Sequence, residues 1–210
     1  MESNFSRSCP NVWKLWNPVT LYKESFSMSD ELFDIVNEED AVIGQEMRSV
    51  VHQRGLWHRG VHVLLFTKEG KLLVQQRSKD RVHAPLALDC SVSEHVQAGE
   101  DYYTAAIRGL KEEMGVTGVE IKPLIKFKMN YGQNDNEISE LYQGVVDPAT
   151  IKFDPVEIER VDYYSISEVQ KLLESAGSMF SYWFEQIIKW YLGNPSALEV
   201  LEKYTSPSTE

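Results

Sequence analysis

The chain has 210 residues, of which 42% are hydrophobic, and a formal net charge of −11. This length can bury one full core, and no internal repeat is visible. The negative charge argues against nucleic acid as a partner, because phosphate backbones are bound by surfaces rich in Lys and Arg. Cys9 and Cys90 are the only cysteines, too few for a disulfide framework. No apolar run is long enough to span a bilayer, and the first residues lack the apolar core of a signal peptide. These features favour a cytoplasmic, membrane-free protein that is a monomer or a homodimer.

The predicted elements, in chain order, indicate one domain with flanking segments. Residues 1–27 hold Trp13 and Trp16 among Pro, Ser and Asn without a clear period, and we interpret them as an N-terminal extension. Residues 28–204 form the predicted single domain, and 205–210 a tail. Strands are predicted at 32–36, 62–66, 71–75, 86–91, 121–129, 138–146 and 161–164. Helices are predicted at 167–175, 180–192 and 195–204. Such an order indicates an α+β protein with helices on both faces of a sheet, an α/β/α sandwich.

The segment from Glu94 to Val116 carries the strongest local signal, that of a loop followed by a helix. Glu100 and Asp101 place carboxylates where a helix begins, and the helix dipole favours negative charge there. Arg108 lies one turn before Glu112, so its guanidinium can orient that carboxylate. Gly115 supplies a left-handed residue that ends the helix.

Glu112 and Glu113 crowd the carbonyl end of this predicted helix. The dipole opposes negative charge at that end, so a cation should compensate it. Oxygen ligands of this kind suit Mg²⁺ or Mn²⁺. The alternative is a solvated acidic helix end, which is the more common origin of a charge run.

This segment resembles the Nudix box, G-x5-E-x7-R-E-U-x-E-E-x-G-U, in which U is aliphatic. The residues that match are Glu100, Arg108, Leu110, Glu112, Glu113, Gly115 and Val116. Two positions depart from it, because Glu94 replaces the first glycine and Gly109 replaces the glutamate after the arginine. In the family that glutamate helps to hold metal or to activate water, and Glu94 could restore a carboxylate nearby. The resemblance implies a mixed sheet with the loop-helix-loop motif and extra C-terminal helices. It also implies metal-dependent hydrolysis of a diphosphate linked to another moiety, or, given the two departures, a module that binds without turnover.

A second resemblance, over residues 56–75, 91–95 and 179–185, is to the Nudix subgroup of type I isopentenyl-diphosphate isomerases. In those enzymes three histidines and two glutamates hold a divalent metal, and a cysteine and a glutamate move protons. His58 and His95 match two of the histidines, while His52 is one residue out of register with the third. Asp135 and Glu137 correspond to the glutamate pair and share one face of a strand.

One departure bears directly on isomerase chemistry. Ser93 stands at the position of the isomerase cysteine, and a hydroxyl is much less acidic than a thiol of pKa about 8.5. Cys90 lies three residues earlier, on the opposite face of a strand, and is better explained as a small buried hydrophobe. Hydrolysis is therefore favoured over isomerisation.

The resulting site hypothesis assigns each charged residue a role. The metal ligands are expected among Glu94, His95, Glu100, Glu112 and Glu113. Arg108 orients the glutamates, and the general base is Glu137 or Glu113.

Candidates for binding the substrate are three basic residues and one aromatic residue. Arg59, Arg77 and Lys79 could bind its phosphates, although surface solubility is the commoner role of such residues. Trp183 matches an aromatic residue of the isomerase site, but core packing is the more common role of an aromatic residue in such a helix. His52 and His83 carry weaker signals than His95 and His58.

Overall fold

A computed structural model describes residues 30–132, 134–175 and 179–204. The predicted extension 1–27 and tail 205–210 lie outside these ranges. The described residues form strands β1 (Leu32–Val36), β2 (Val42–Met47), β3 (Trp57–Phe66), β4 (Leu72–Arg77), β5 (Leu88–Asp89), β6 (Val92–His95), β7 (Ile121–Gly132), β8 (Asp135–Val145), β9 (Ile158–Tyr164) and β10 (Glu199–Lys203). The helices are α1 (Arg48–Arg54), α2 (Tyr102–Met114), α3 (Ile166–Glu174) and α4 (Tyr182–Tyr191). None of these helices is long and apolar enough to cross a membrane.

The main sheet is mixed, with strand order β10-β7-β8-β3-β4-β5, and β6 and β9 pair with β3 and β4. Its longest parallel contact joins β3 and β8 along their whole length, from Trp57 opposite Asn136 to Phe66 opposite Val145. The predicted strands 62–66 and 71–75 correspond to β3 and β4, which pair antiparallel with Phe66 opposite Leu72. Strands β1 and β2 form a separate two-stranded sheet.

Each face of the main sheet is covered by helix. On one face, α2 buries Ala105, Leu110 and Met114 against Val61 and Val63. On the other face, the core contains side chains of α3, α4 and the sheet, among them Val169, Phe184, Ile187, Leu64 and Phe127. Because neighbouring residues of β3 alternate between the two cores, one strand supports both. The α/β/α sandwich predicted from the sequence is confirmed.

The predicted helix over 195–204 is wrong, because β10 occupies that segment and extends the sheet. Val200 lies opposite Phe127 of β7, and the Tyr204 backbone N–H donates to the Leu124 carbonyl. Pairing with an open sheet edge thus outweighs a weak helical preference. The sequence analysis also missed β2, α1 and β6, and of the strand predicted at 86–91 only the two residues of β5 form.

Both ends of α2 are fixed as its sequence predicts. The Asp101 side chain accepts a hydrogen bond of 2.7 Å from the Thr104 backbone N–H at the start of the helix. Gly115 ends it in the left-handed region, at φ 65°. These two residues set the length and direction of the helix that carries Arg108, Glu112 and Glu113.

We expect Gly115→Ala to destabilise the fold more than Gly118→Ala. A Cβ at Gly115 would lie 2.6 Å from the Lys152 carbonyl oxygen, whereas one at Gly118 would meet no atom within 4 Å. Both glycines have positive φ, so each alanine costs about 1–2 kcal/mol of backbone strain, and only Gly115→Ala adds the clash. Urea unfolding of both variants measures the difference, and equal losses would show that the contact with Lys152 costs nothing.

Candidate active site

Three imidazole rings lie close together beside the parallel pair of strands β3 and β8. His52 comes from α1, His58 from the start of β3 and His95 from the end of β6, with ring centroids 5.0–5.4 Å apart. His52 Nδ1 lies 3.0 Å from the Arg48 carbonyl oxygen, and His58 Nδ1 lies 3.1 Å from that of Leu56. Since a carbonyl oxygen accepts, these contacts place the proton on Nδ1 and leave each Nε2 as a lone-pair donor.

Two carboxylates from β8 complete this group. Glu137 Oε1 lies 3.7 Å from His58 Nε2 and 3.5 Å from His95 Nε2. Asp135 Oδ1 lies 3.6 Å from His52 Nε2 and 3.9 Å from His58 Nε2. The sheet register produces these contacts directly, since His58 lies opposite Glu137 in the pairing of β3 with β8. We call these five residues the histidine cage.

The histidine cage fits a divalent metal ion. His58 Nε2 and Asp135 Oδ1 are buried and have no hydrogen-bond partner among the described residues, so an ion between them would satisfy both. Ligand atoms of His52, His58 and His95 lie within 4.8 Å of one another, as do those of His58, Asp135 and Glu137. Burial lowers the pKa of His58 to about 4 and that of His95 to about 3, so both are neutral near pH 7, the form that binds metal.

A cavity of about 180 Å³ opens beside the cage, and basic side chains line it. They include Arg48, Arg77, Arg81 and His83. Arg48 Nε is buried and makes no hydrogen bond within the described part of the chain. Three arginines therefore offer cationic donors to an anionic ligand next to the cage, within a lining that also holds six carboxylates.

Arg108 of α2 gathers the carboxylates of the loop and helix, as the sequence predicts. It binds both oxygens of Glu100 at 3.0 and 3.1 Å and donates to Glu94 at 3.0 Å and to Glu112 at 3.1 Å. A fifth bond of 2.7 Å goes to the His95 carbonyl oxygen and ties this helix to the histidine cage. Glu100 is thus a partner of Arg108 and is not among the residues that line the cavity.

Of this group, Glu113 is buried and Glu94 is half-buried. Glu113 accepts hydrogen bonds from Gln75 Nε2 at 2.8 Å and from the Ser93 backbone N–H at 3.2 Å. Burial and the charge of Glu94 raise the pKa of Glu113 well above its ordinary value. Glu94 lines the cavity, and burial, opposed by Arg108, raises its pKa to about 7.

Glu94 occupies the space that a side chain at position 109 would need. A Cβ placed on Gly109 would lie 3.3 Å from Glu94 Cβ and 2.7 Å from Val92 Cγ1. The two positions that depart from the box pattern are therefore neighbours in space, one on β6 and the other on α2.

Ser93, at the position of the isomerase cysteine, forms a polar chain along one wall of the cavity. Its Oγ lies 3.1 Å from His62 Nδ1 and donates to Asp89 Oδ1 at 3.3 Å. His62 Nε2 lies 3.2 Å from the Tyr131 hydroxyl. Cys90 is fully buried in the apolar core, as predicted.

We expect the free energy of unfolding to fall as the pH is lowered from about 6.5 toward 4, partly because of His62. Burial lowers the pKa of His62 to about 4, against about 6.5 for an exposed histidine. Between these values the unfolded chain binds a proton that the folded chain excludes, so acid favours unfolding. Urea unfolding across this range should give a shallower slope for His62→Gln than for the wild type. An unchanged slope would contradict the buried, neutral state of His62.

Arg59 and Lys79 do not lie at the cavity, in contrast to the prediction that they bind phosphate. Arg59 points to the other face of β3 from His58, where it binds Asp40 at 2.6 Å and lies over the Tyr102 ring. Lys79 is exposed in a turn and is not among the lining residues. Arg77 and Trp183 both line the cavity.

Sequence reasoning missed Arg48 and Arg81 and gave too little weight to His52. Arg48 and His52 are four residues apart on α1, a spacing that puts both on one helix face. That signal was hidden because α1 itself was not predicted. Arg81 follows Arg77 by four residues in a loop, where spacing alone does not indicate direction.

Comparison with known proteins shows the family to which this fold belongs. Residues 56–184 match the family model of the NUDIX domain. The chain belongs to the Nudix family. The resemblance drawn from the box residues is thereby confirmed, and so is the predicted fold.

This Nudix protein is similar to proteins with different names. An uncharacterized Nudix hydrolase of Streptomyces coelicolor is 40% identical over 105 residues, which are 50% of this chain and 58% of that protein, so the match spans less than two thirds of the relative's length. An isopentenyl-diphosphate Delta-isomerase of Pectobacterium atrosepticum is 28% identical over 72% of this chain and 86% of its own. A Deinococcus radiodurans protein of known crystal structure has a TM-score of 0.66 and 26% identity, covering 76% of this chain and 98% of its own.

Proposed function

We propose that this Nudix protein hydrolyses a diphosphate linked to another moiety and that it depends on a divalent metal. One observation carries the proposal: the histidine cage, the carboxylates ordered by Arg108 and several basic side chains all meet at one cavity. A diphosphate needs such a combination, since its negative charge must be neutralised while water is activated.

The basic residues would hold the diphosphate. The buried Nε of Arg48 has no hydrogen-bond partner in the part of the chain that the structure describes. Arg77 and Arg81 are each already paired with a carboxylate, Asp89 and Glu157. Arg48 is therefore the strongest cationic contact for a phosphate oxygen, and the other two contribute donors of fixed direction.

Three imidazoles and two carboxylates favour Mn²⁺ over Mg²⁺ in the histidine cage, because Mg²⁺ prefers oxygen ligands alone. A bound divalent ion would neutralise diphosphate oxygens and lower the pKa of a water.

We assign the proton acceptor to Glu94 in addition to the sequence-based candidates Glu137 and Glu113. Glu94 lines the cavity, whereas Glu113 lies behind it and is tied to Gln75 and Ser93. A carboxylate with a pKa of about 7 is well matched to taking a proton from water at neutral pH.

The experiment is a phosphate-release assay over nucleoside, sugar and isoprenoid diphosphates with Mn²⁺ or Mg²⁺. We expect turnover of at least one class, and we expect Glu94→Gln to lower it by about 100-fold or more. Glu120→Gln makes the same chemical change at an exposed site and should leave turnover intact. A normal rate for Glu94→Gln would contradict its role as proton acceptor, and no release from any class would contradict hydrolysis.

Isomerisation of an isopentenyl diphosphate is the second candidate, and the histidine cage is the observation that favours it. Its three histidines and two carboxylates are the set implied by the isomerase resemblance, and Trp183 also lines the cavity. Ser93 weighs against it, because a hydroxyl transfers a proton less readily than a thiol. Product analysis separates the two candidates, since isomerisation releases no phosphate.

A further inference from the structure

Asp89 is a buried carboxylate that the proposed hydrolysis does not use. It lies on β5 and is fully inaccessible to solvent. Buried carboxylates of this kind are costly unless several donors satisfy them. The groups that donate hydrogen bonds to Asp89 therefore indicate the role of its buried charge.

Five donors reach this one carboxylate. Oδ2 accepts from Arg77 Nη1 at 2.9 Å. Oδ1 accepts from the Cys90 backbone N–H at 2.7 Å, Trp183 Nε1 at 2.6 Å, Ser181 Oγ at 3.0 Å and Ser93 Oγ at 3.3 Å. Asp89 thus joins β4, β6 and the start of α4 through a single side chain.

Three of these donors belong to side chains that line the cavity: Arg77, Ser93 and Trp183. Three contacts hold the Arg77 side chain in one orientation. Its Nη1 is bound to Asp89, its Nε donates to the His83 carbonyl oxygen at 3.2 Å, and its guanidinium carbon lies 5.0 Å from the Trp183 ring centroid. These contacts fix the guanidinium plane and leave Nη2 as the group that can meet an anion in the cavity.

We propose that Asp89 is a positioning residue for anion binding, which holds Arg77 against the Trp183 ring so that the guanidinium presents a preset donor to the diphosphate. This inference rests on the proposed function, because it requires that the cavity binds a diphosphate. A preset donor avoids the loss of side-chain freedom that a mobile arginine would undergo on binding.

Asp89→Asn tests this role with little change of shape. The amide oxygen can still accept from Trp183 and Ser181, but the amide N–H₂ then faces the N–H of Arg77, two donors that repel. The Arg77 guanidinium is released while most of the buried hydrogen bonds remain.

The measurement is the affinity of the Mn²⁺-loaded protein for inorganic pyrophosphate, by titration calorimetry. We expect Asp89→Asn and Arg77→Gln each to weaken binding about tenfold or more, and the double variant to be no weaker than Arg77→Gln alone. Asp40→Asn is the matched control. Asp40 also accepts hydrogen bonds from an arginine, a lysine and a tyrosine, but it does not line the cavity. The Asp40→Asn change should lower stability and leave pyrophosphate affinity unchanged.

A second readout follows the Trp183 indole N–H by NMR, assigned with Trp183→Phe. Its resonance should move in Asp89→Asn and stay in place in Asp40→Asn. Should Asp89→Asn fail to fold, Arg77→Lys takes its place: it keeps the charge and loses the fork, so positioning predicts the same tenfold loss.

The possible results distinguish failure of the positioning role from failure of the proposed hydrolysis. Wild-type affinity in Asp89→Asn, or losses in the Asp89 and Arg77 variants that simply add, would overturn the positioning role while the proposed function stands. Absence of pyrophosphate binding by the wild-type protein would overturn both.

Discussion

His58→Asn is expected to abolish metal binding and to lower diphosphate turnover by more than about 100-fold. His58 is the member shared by both groups of ligand atoms in the histidine cage, and its Nε2 is buried with no hydrogen-bond partner among the described residues. Mutating a residue that only orients a metal ligand typically lowers metal affinity or activity by about 10–100-fold. Loss of a ligand itself should therefore lower them by more than that.

Metal content after dialysis against Mn²⁺, measured by mass spectrometry, checks this expectation independently of activity. His83→Asn is the matched control, because His83 lines the same cavity but lies outside the cage. His52→Asn, at a half-buried position, covers the case in which His58→Asn unfolds. Full Mn²⁺ content in both cage variants would contradict the cage as a metal site.

A reciprocal exchange of Glu94 and Gly109 is expected to restore activity that each single change removes. Glu94→Gly deletes a cavity carboxylate and should lower turnover by about 100-fold. Gly109→Glu alone forces a side chain into Val92 and Glu94, since its Cβ would lie 2.7 Å from Val92 Cγ1. With both changes, the contact with Glu94 is relieved and only the Val92 methyl group must shift, so the new helix glutamate can enter the space that Glu94 vacates.

A double-mutant cycle tests this exchange. It compares the turnover and the Mn²⁺ affinity of the wild type, the two single variants and the double variant. We expect the double variant to exceed the product of the single effects by at least about tenfold, because the two positions compete for one space. Glu94→Gln, which keeps the shape and removes the charge, should be as impaired as Glu94→Gly. A double variant with simply multiplied losses would show that Glu94 and Gly109 are independent departures.

Local sequence signals predict much of the fold and part of the site. The α2 segment was predicted with both ends, because its signals, Asp101 at the start and Gly115 at the end, act within one or two turns. The arginine-glutamate pairing of Arg108 with Glu112 follows from helical spacing in the same way.

The histidine cage could be predicted only in part, because its geometry depends on long-range pairing. His58 meets Glu137 through the register of two parallel strands almost eighty positions apart, and His95 joins them through the pairing of β6 with β3. His52 arrives on α1, a helix of seven residues that is too short to give a clear period. The C-terminal strand β10 was mistaken for helix for the same reason, since the open edge of β7 decides its conformation.

Anomalous diffraction from crystals grown with Mn²⁺ and methylene diphosphonate tests the central claim most directly. We expect a manganese peak among His52, His58, His95, Asp135 and Glu137, with the diphosphonate in the adjoining cavity and in contact with Arg48 or Arg77. A peak only at the carboxylates of α2, or a diphosphonate bound away from the cavity, would contradict it.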